Sequence, residues 1–426
     1  MRAWLRPFLA IDPSRQLQLL TSLVRWIALG LVVGVLAGAS SAALLESLTW
    51  ATKTQVDNGW LLWLLPVAGL LIGLTYQRGA GESARGNNLI LDEIHAPDAW
   101  VPRRMAPLVL VATVITHLFG GSAGREGTAL QMSGSLTDNA ISRFSFITGN
   151  DRRILLIAAL SGGFGAVFGV PFAGFIFGLE VQSVGRIRHD AVVPALTASV
   201  TGDWLVRRLG VEHTPVPLIG AVELTASLVA KMIVAGICFA VAAVVFSELT
   251  HGIKAFMATT VPAAPLRPVI GGIAVIGLTF LSGSRDYAGL SIPLITESLS
   301  GVAAVAFFAF AWKLLFTAVT LGSGFQGGEV TPLFVVGVTL GATLGDVLHA
   351  PIPLFAAMGF VAVFAGATNT PLACTVMGVE MFGAAIVVPL AIGCVISYVL
   401  SSGHGIYGGQ RRASSLPEPA RPRSRQ

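Results

Sequence analysis

The sequence predicts an all-α polytopic membrane protein built as two inverted-topology repeats of broken and tilted helices. Three observations carry this. Only 12% of the 426 residues are charged and 54% are hydrophobic, whereas a soluble domain carries roughly 25% charged residues. Apolar stretches such as "WIALGLVVGVLAGASSAALL", "LVAKMIVAGICFAVAAVVF", "VIGGIAVIGLTFL" and "VVPLAIGCVISYVL" recur along the chain, and about 20 apolar residues in a helix cross the hydrocarbon core. The third observation is an internal echo at an offset of 200 residues.

Taken in order, residues 1–24 form an N-terminal segment carrying Arg2, Arg6 and Arg15, with Arg25 just beyond it. No A-x-A-like site precedes the first apolar run, so no removable signal is expected. Residues 25–210 form the first transmembrane repeat, 211–224 a polar, Pro-containing linker, and 225–408 the second repeat. Roughly ten to fourteen helical segments are expected, several too short or too Gly/Pro-broken to cross alone. Residues 409–426, Gly409 followed by "QRRASSLPEPARPRSRQ", read as a basic disordered tail. The positive-inside rule puts both termini in the cytoplasm and makes the number of full crossings even. The net charge of +5 follows from that orientation and calls for no nucleic-acid partner.

The repeat is visible in "FGAVFGVPFAGFIFGLE" and "FAGATNTPLACTVMGVE", where Phe164, Pro171, Ala173, Gly178 and Glu180 meet Phe364, Pro371, Ala373, Gly378 and Glu380. A second echo sets Gly124 and Glu126 of "LFGGSAGREGT" against Gly327 and Glu329 of "LGSGFQGGEVT". Two related halves of broken membrane helices mark secondary transporters, whose binding site lies at the repeat interface. The matched Glu180 and Glu380 read as ties between helix ends or loops.

Three glycine-rich breaks are candidates for that site: "RGNNLILDEI", "AGREGTAL" and "FQGGEVTPLF". A broken helix exposes unpaired N–H groups at its N-terminus, and these together with the helix dipole attract an anion. Pro332 suits the start of the third helix, where its missing N–H costs little. Converging at mid-membrane, the breaks hold a small anion without a fixed cation. Glu126 then takes on a role, because a carboxylate in the membrane is expensive and by default functional. Ionised, it can occupy the anion's own position; protonated, it can swing away. The alternative is an ordinary Arg125–Glu126 loop pair at the water interface.

Other patterns compete. Gly120-Gly121-Ser122-Ala123-Gly124 fits G-x-S-x-G, with His117 or His404 as a base, which describes an intramembrane serine hydrolase. That motif needs a strand before the serine, and here an apolar helix precedes it. His95 beside Asp92 and Glu93 suggests either a weak metal cluster or a solvated helix end. Cys238, Cys374 and Cys394 lack metal-type spacing and read as small buried hydrophobes. Neither a metal site nor a cofactor is expected.

At "GREG", "GGEVTP", "GVPFAGFIFGLE" and "NTPLACTVMGVEM" the sequence resembles the CLC family of chloride channels and anion/proton antiporters, in the family's order over roughly residues 25–410. The resemblance implies that Glu126 is the gating and proton-transferring glutamate. It also implies that the N–H groups of Glu329 and Val330 face the anion, and that Tyr407 of "GHGIYGGQ" donates its hydroxyl to it; an interfacial aromatic anchor is the alternative for Tyr407. Around these lie the motif residues Gly86, Asn88, Gly124, Arg125, Gly127, Gly328, Thr331 and Pro332.

Two departures refine the expectation. Where chloride-type members have G-S-G-I-P, this chain has Gly86-Asn87-Asn88-Leu89-Ile90, which with G-x-V-T-P resembles the family's bacterial fluoride-exporting branch. The two N–H donors of an amide suit a strongly accepting anion, although Asn87 can equally cap a helix. Many antiporters of the family have two consecutive glutamates where this chain has Glu180-Val181, and channel members have valine there. The resemblance thus implies a fluoride/proton antiporter, with a chloride/proton antiporter and a passive chloride channel as alternatives. It further implies a homodimer in a bacterial-type inner membrane, exchanging fluoride or chloride for protons across the lipid bilayer.

Overall fold

The computed structural model describes residues 13–301, 305–401 and 403–412. Arg2, Arg6 and most of the basic tail, on which the orientation argument rests, lie outside the described residues. The first half comprises α1 (Pro13–Asp57), α2 (Leu65–Gly79), α3 (Asn87–His95), α4 (Met105–Leu118), α5 (Glu126–Ile141), α6 (Gly149–Phe168), α7 (Pro171–Glu180) and α8 (Val192–Arg208). The second comprises α9 (Ala226–Thr260), α10 (Leu266–Ser282), α11 (Ile292–Ser300), α12 (Ala309–Gly322), α13 (Val330–Val347), α14 (Ile352–Thr368), α15 (Pro371–Phe382) and α16 (Val387–Ser401).

Sixteen helices among the described residues exceed the expected ten to fourteen. Short helices explain the difference: α3 and α11 have nine residues each, and the breaks around them vanish when apolar runs are counted. Among the described residues, five spans are long and apolar enough to cross a membrane. The only strands among the described residues are two-residue pieces, Ser183–Val184 paired in parallel with Arg411–Arg412.

Local signals set the breaks. Thr148 and Asp151 form a reciprocal capping box that starts α6. Gly169 (φ 73°) ends it, and Asn369 (φ 58°) ends α14 in the same left-handed conformation. In both halves a proline then restarts the chain as α7 or α15. Helices pack closely where side chains are absent. A Cβ on Gly30, Gly34 or Gly38 of α1 would lie 2.9, 2.8 or 2.7 Å from the carbonyl oxygens of Pro194, Ala198 or Gly202 on α8, the small-xxx-small contact of membrane helices.

Three contacts join a residue to its own counterpart or exchange partners reciprocally, and they trace a pseudo-two-fold axis. Phe164 stacks on Phe364 with ring centroids 5.9 Å apart. The carboxylate of Glu180 accepts from Leu372 N and Ala373 N at 3.2 and 2.9 Å, while that of Glu380 accepts from Phe172 N and Ala173 N at 3.0 and 2.7 Å. Each glutamate near the C-terminal end of its helix thus caps the start of the other's helix. That exchange requires α7 and α15 to run antiparallel, and therefore the halves to be inverted. Gly124 and Gly328 exchange two backbone hydrogen bonds of 2.6 and 2.8 Å.

This last contact corrects the register of the second echo. The exchange pairs Gly124 with Gly328, and α5 begins at Glu126 where α13 begins at Val330. Glu126 is therefore the counterpart of Val330, and Arg125 that of Glu329. The expected Glu126–Glu329 match arose from aligning glycine-rich letters that tolerate a one-residue slip.

Candidate anion site at the helix N-termini

The N-termini of α3, α5 and α13 meet around Gly127. A Cβ there would lie 3.1 Å from Asn87 Nδ2, 3.2 Å from Gly328 Cα and 3.4 Å from Glu329 Oε2, so the bare glycine lets the three breaks approach without crowding. Gly86, the residue before α3, has φ 58° and ψ −136°, a conformation that glycine alone adopts at little cost. The chain thereby turns Asn87 into the first helical position with no side-chain cap at that helix end. The capping alternative for Asn87 is thus excluded. At Gly124 a Cβ would lie 2.7 Å from Glu126 Oε2 and 2.9 Å from Gly328 O.

Glu126 is fully buried. Its Oε2 accepts from the backbone N–H of Arg125 at 3.0 Å and of Thr331 at 3.1 Å, and its Oε1 accepts from the Thr331 hydroxyl. The Arg125 guanidinium stands 3.8 Å away. The carboxylate therefore occupies the dipole-positive start of α13, where an anion is stabilised. The burial rules out a solvated loop pair at the interface.

Four occluded polar atoms at this junction have no hydrogen-bond partner: Asn87 Oδ1, Arg125 Nε, Glu329 Oε2 and the Tyr407 hydroxyl. Buried polar atoms left unpaired are rare and costly; the two donors among them, Arg125 Nε and the Tyr407 hydroxyl, suit an anion, whereas Asn87 Oδ1 and Glu329 Oε2 are acceptors that suit a proton donor. Tyr407 is 6% exposed, which excludes an anchor at the membrane interface. Its segment is held in place when Gly409 N donates to Asn88 Oδ1 at 2.9 Å and Ile406 N to Ala367 O at 2.9 Å. Asn88 is thus a positioning residue for the tyrosine, and Glu126 and Glu329 are among that residue's charged neighbours.

Some features were not singled out in the sequence. Thr331, known from the sequence only as a motif residue, holds the Glu126 carboxylate with both its N–H and its hydroxyl. The Glu329 side chain, and not its amide alone, faces the junction. Buried Lys313 bonds Ser122 in the loop before α5, and its signal in the sequence is a lysine inside the apolar run "FFAFAWKLLFTAVTL".

The competing patterns come apart. Ser122 follows a helix, and its Oγ contacts Thr317 Oγ1 at 2.9 Å and Lys313 Nζ at 3.0 Å. His117 bonds the carbonyls of Thr113 and Ala123, and His404 pairs with Glu248, so neither serves Ser122. Ser122→Ala is expected to retain anion flux, measured as efflux from liposomes, where loss of a nucleophile would abolish a hydrolase; what the variant loses is the hydrogen bonding to Thr317 and Lys313. In "DEIH", Asp92 pairs with Arg85, Glu93 with Arg152, and His95 with the Gln182 carbonyl. No metal-type cluster stands among the described residues. Cys374 and Cys394 are buried and Cys238 half-buried, all as free thiols.

The sequence profile of the voltage gated chloride channel family matches residues 68–402. The chain belongs to the CLC family. A chloride/fluoride channel protein of Pseudomonas syringae pv. tomato is 44% identical over 417 residues, covering 95% of this chain and 92% of that protein. An H+/Cl− exchange transporter, ClcA, of Salmonella newport is 24% identical, covering 87% of this chain and 84% of its own. Among solved structures, a CLC-type fluoride/proton antiporter superposes with a TM-score of 0.88 at 32% identity, covering 92% of this chain and 98% of its own. A slow cyanobacterial Cl−/H+ antiporter, at 21% identity and a TM-score of 0.71, shares the fold. The chain is accordingly an integral membrane protein that moves anions, and not an enzyme.

Proposed function

We propose that this CLC protein is a fluoride/proton antiporter that exports fluoride along a path gated by Glu126. The observation that carries the reading is the Glu126 carboxylate bonded to Arg125 N, Thr331 N and the Thr331 hydroxyl: a tethered anion in a place suited to a free one. The cytoplasmic anion is held by Asn87, the N–H groups of Glu329 and Val330, and Tyr407. Ionised, Glu126 fills the adjacent site; protonated from an acidic exterior, it leaves the N–H groups and the path opens. Support for fluoride comes from the amide of Asn87, which makes no hydrogen bond of its own, and from the likeness to a CLC-type fluoride/proton antiporter. We further propose a homodimer with one pathway per subunit, in the inner (plasma) membrane with both termini cytoplasmic.

One observation favours a second reading. Val181 is 2% exposed, and its carbonyl is bound by Gln410 Nε2 at 2.8 Å, so the position of the family's internal proton acceptor carries no ionisable side chain. A passive chloride channel, or a chloride/proton antiporter with another internal route, fits that feature.

Reconstitution into liposomes decides between them, with fluoride, chloride and external pH recorded together. Fluoride efflux with proton uptake is the expected result; chloride flux as large or larger without proton movement overturns it. Asn87→Ala, lacking both amide donors, is expected to lower the fluoride-to-chloride flux ratio by about tenfold, the loss of one hydrogen bond to a charged group. An unchanged ratio removes Asn87 from the selectivity argument.

A further inference from the structure

Lys313 of α12 is fully buried within the apolar body of the protein. No carboxylate approaches it within ion-pair distance among the described residues. An unpaired charge at that depth is costly, and such residues in membrane proteins carry a function by default.

The ammonium sits instead in a cage of four oxygens: Gly289 O at 2.7 Å, Ser291 Oγ at 2.8 Å, Ser122 Oγ at 3.0 Å and Tyr287 O at 3.3 Å. The cage has the marks of a built site. Ser291 holds a left-handed conformation (φ 59°) directly before α11, yet its hydroxyl makes no cap to that helix. It turns to Lys313 at a conformational cost that a non-glycine residue ordinarily avoids.

The cage also crosses the repeats. Three of its oxygens belong to the loop before α11 in the second half, and the fourth is Ser122, in the loop between α4 and α5 of the first. That loop leads in four residues to Glu126. Lys313, Thr317 and Thr320 lie on one face of α12 and all reach Ser122, with Thr317 Oγ1 at 2.9 Å from its hydroxyl and Thr320 Oγ1 accepting its N–H at 3.2 Å. On the other side of Ser122, Gly124 is paired with Gly328 and the Arg125 N–H holds the gate. The loop is thus fixed at two ends, by Lys313 behind and by α13 in front.

We propose that Lys313 is a positioning residue for the gate: through Ser122 it anchors the gating loop of the first repeat to the second repeat and so aligns Glu126 with the start of α13. The proposal rests on the gating role of Glu126 but not on fluoride as the anion.

The test is a double-mutant cycle of anion efflux from liposomes, read with whichever of fluoride and chloride the native protein passes faster, comparing native protein, Lys313→Met, Glu126→Ala and the double variant. Methionine keeps the length of the side chain and removes the charge. If Lys313 acts through the gate, Lys313→Met changes the efflux rate by at least about threefold with Glu126 present and by under about 1.5-fold without it, the non-additivity expected of coupled sites. An equal change in both backgrounds, or none in either, overturns the proposal. Ser122→Ala and Ser291→Gly each remove one cage oxygen, and glycine suits φ 59°. They are expected to show the same Glu126-dependence in smaller size, and they carry the cycle if Lys313→Met does not assemble; their lacking that dependence then overturns the proposal. Proton movement in the native protein, read in the same vesicles, reports on the antiporter reading separately. Its absence leaves the cycle interpretable, because Glu126 gates a channel as it gates an exchanger.

Discussion

Glu126→Gln is expected to reduce proton uptake coupled to anion efflux by at least about tenfold, to the leak of empty vesicles, in line with the loss of a group that carries protons. The reason lies in the three donors that converge on this carboxylate, from Arg125 N, Thr331 N and the Thr331 hydroxyl. A carboxylate satisfies all three with two acceptor oxygens. An amide can turn its oxygen to the two backbone N–H groups only if its NH2 faces Thr331 Oγ1, which must then accept and no longer donate; all three bonds also lose their charge assistance, so glutamine is held less firmly at the start of α13. Glutamine also takes up no proton at neutral pH, so its departure from the site no longer tracks proton entry. The side chains are nearly isosteric, and the variant should retain the native gel-filtration profile, which separates a lost gate from a lost fold. Proton uptake persisting at the native ratio to anion flux would sink the assignment of Glu126 as the proton carrier.

Much of this architecture was legible in the sequence because it is written in residues with few alternative uses. Proline at the start of α7 and α15, and glutamate nine residues later, repeat at a fixed offset because the two helices cap one another across the axis. The glycines at 86, 124, 127 and 328 are legible for a similar reason: Gly86 turns with φ 58°, and at 124, 127 and 328 a close approach crowds a Cβ. What remained hidden depends on distance in space. The Thr331 grip on Glu126 joins residues 205 positions apart. The Lys313 cage joins Ser122 to a lysine 191 positions away. Single letters such as threonine and lysine do not announce such partners. The one-residue slip between Glu126 and Glu329 has the same origin, since glycine-rich stretches align equally well in two registers and only the Gly124–Gly328 exchange separates them.

The second large effect concerns how α3 is aimed. Asn87 begins this nine-residue helix, and its other end is held by a buried cluster around Arg152. The guanidinium bonds Glu93 Oε2 at 2.9 Å, Asp138 Oδ1 at 2.7 Å, Asp138 Oδ2 at 2.9 Å and Ala99 O at 2.8 Å, and its Cζ lies 4.7 Å from the Trp100 ring centroid. The two carboxylates in turn accept the N–H groups of Asp98, Ala99 and Val101, so one arginine closes the whole connection from α3 to α4 onto α5 and α6. Arg152→Met strands two buried carboxylates without their cation, at a cost of about 3–5 kcal/mol, and is expected to lower the melting midpoint of the purified protein markedly. Adding Glu93→Gln and Asp138→Asn removes the stranded charges while leaving a carbonyl oxygen for Val101 N and for one of the Asp98 and Ala99 N–H groups. The triple variant should therefore regain a large part of the lost stability, as replaced buried ion clusters do when all partners go together. If the cluster also aims Asn87, the triple variant regains stability but keeps a lowered fluoride-to-chloride flux ratio, because neutral partners hold the helix end less tightly than charged ones. Full recovery of both properties would confine Arg152 to stability; recovery of neither would mean that packing on Trp100, and not charge, fixes this end of the helix.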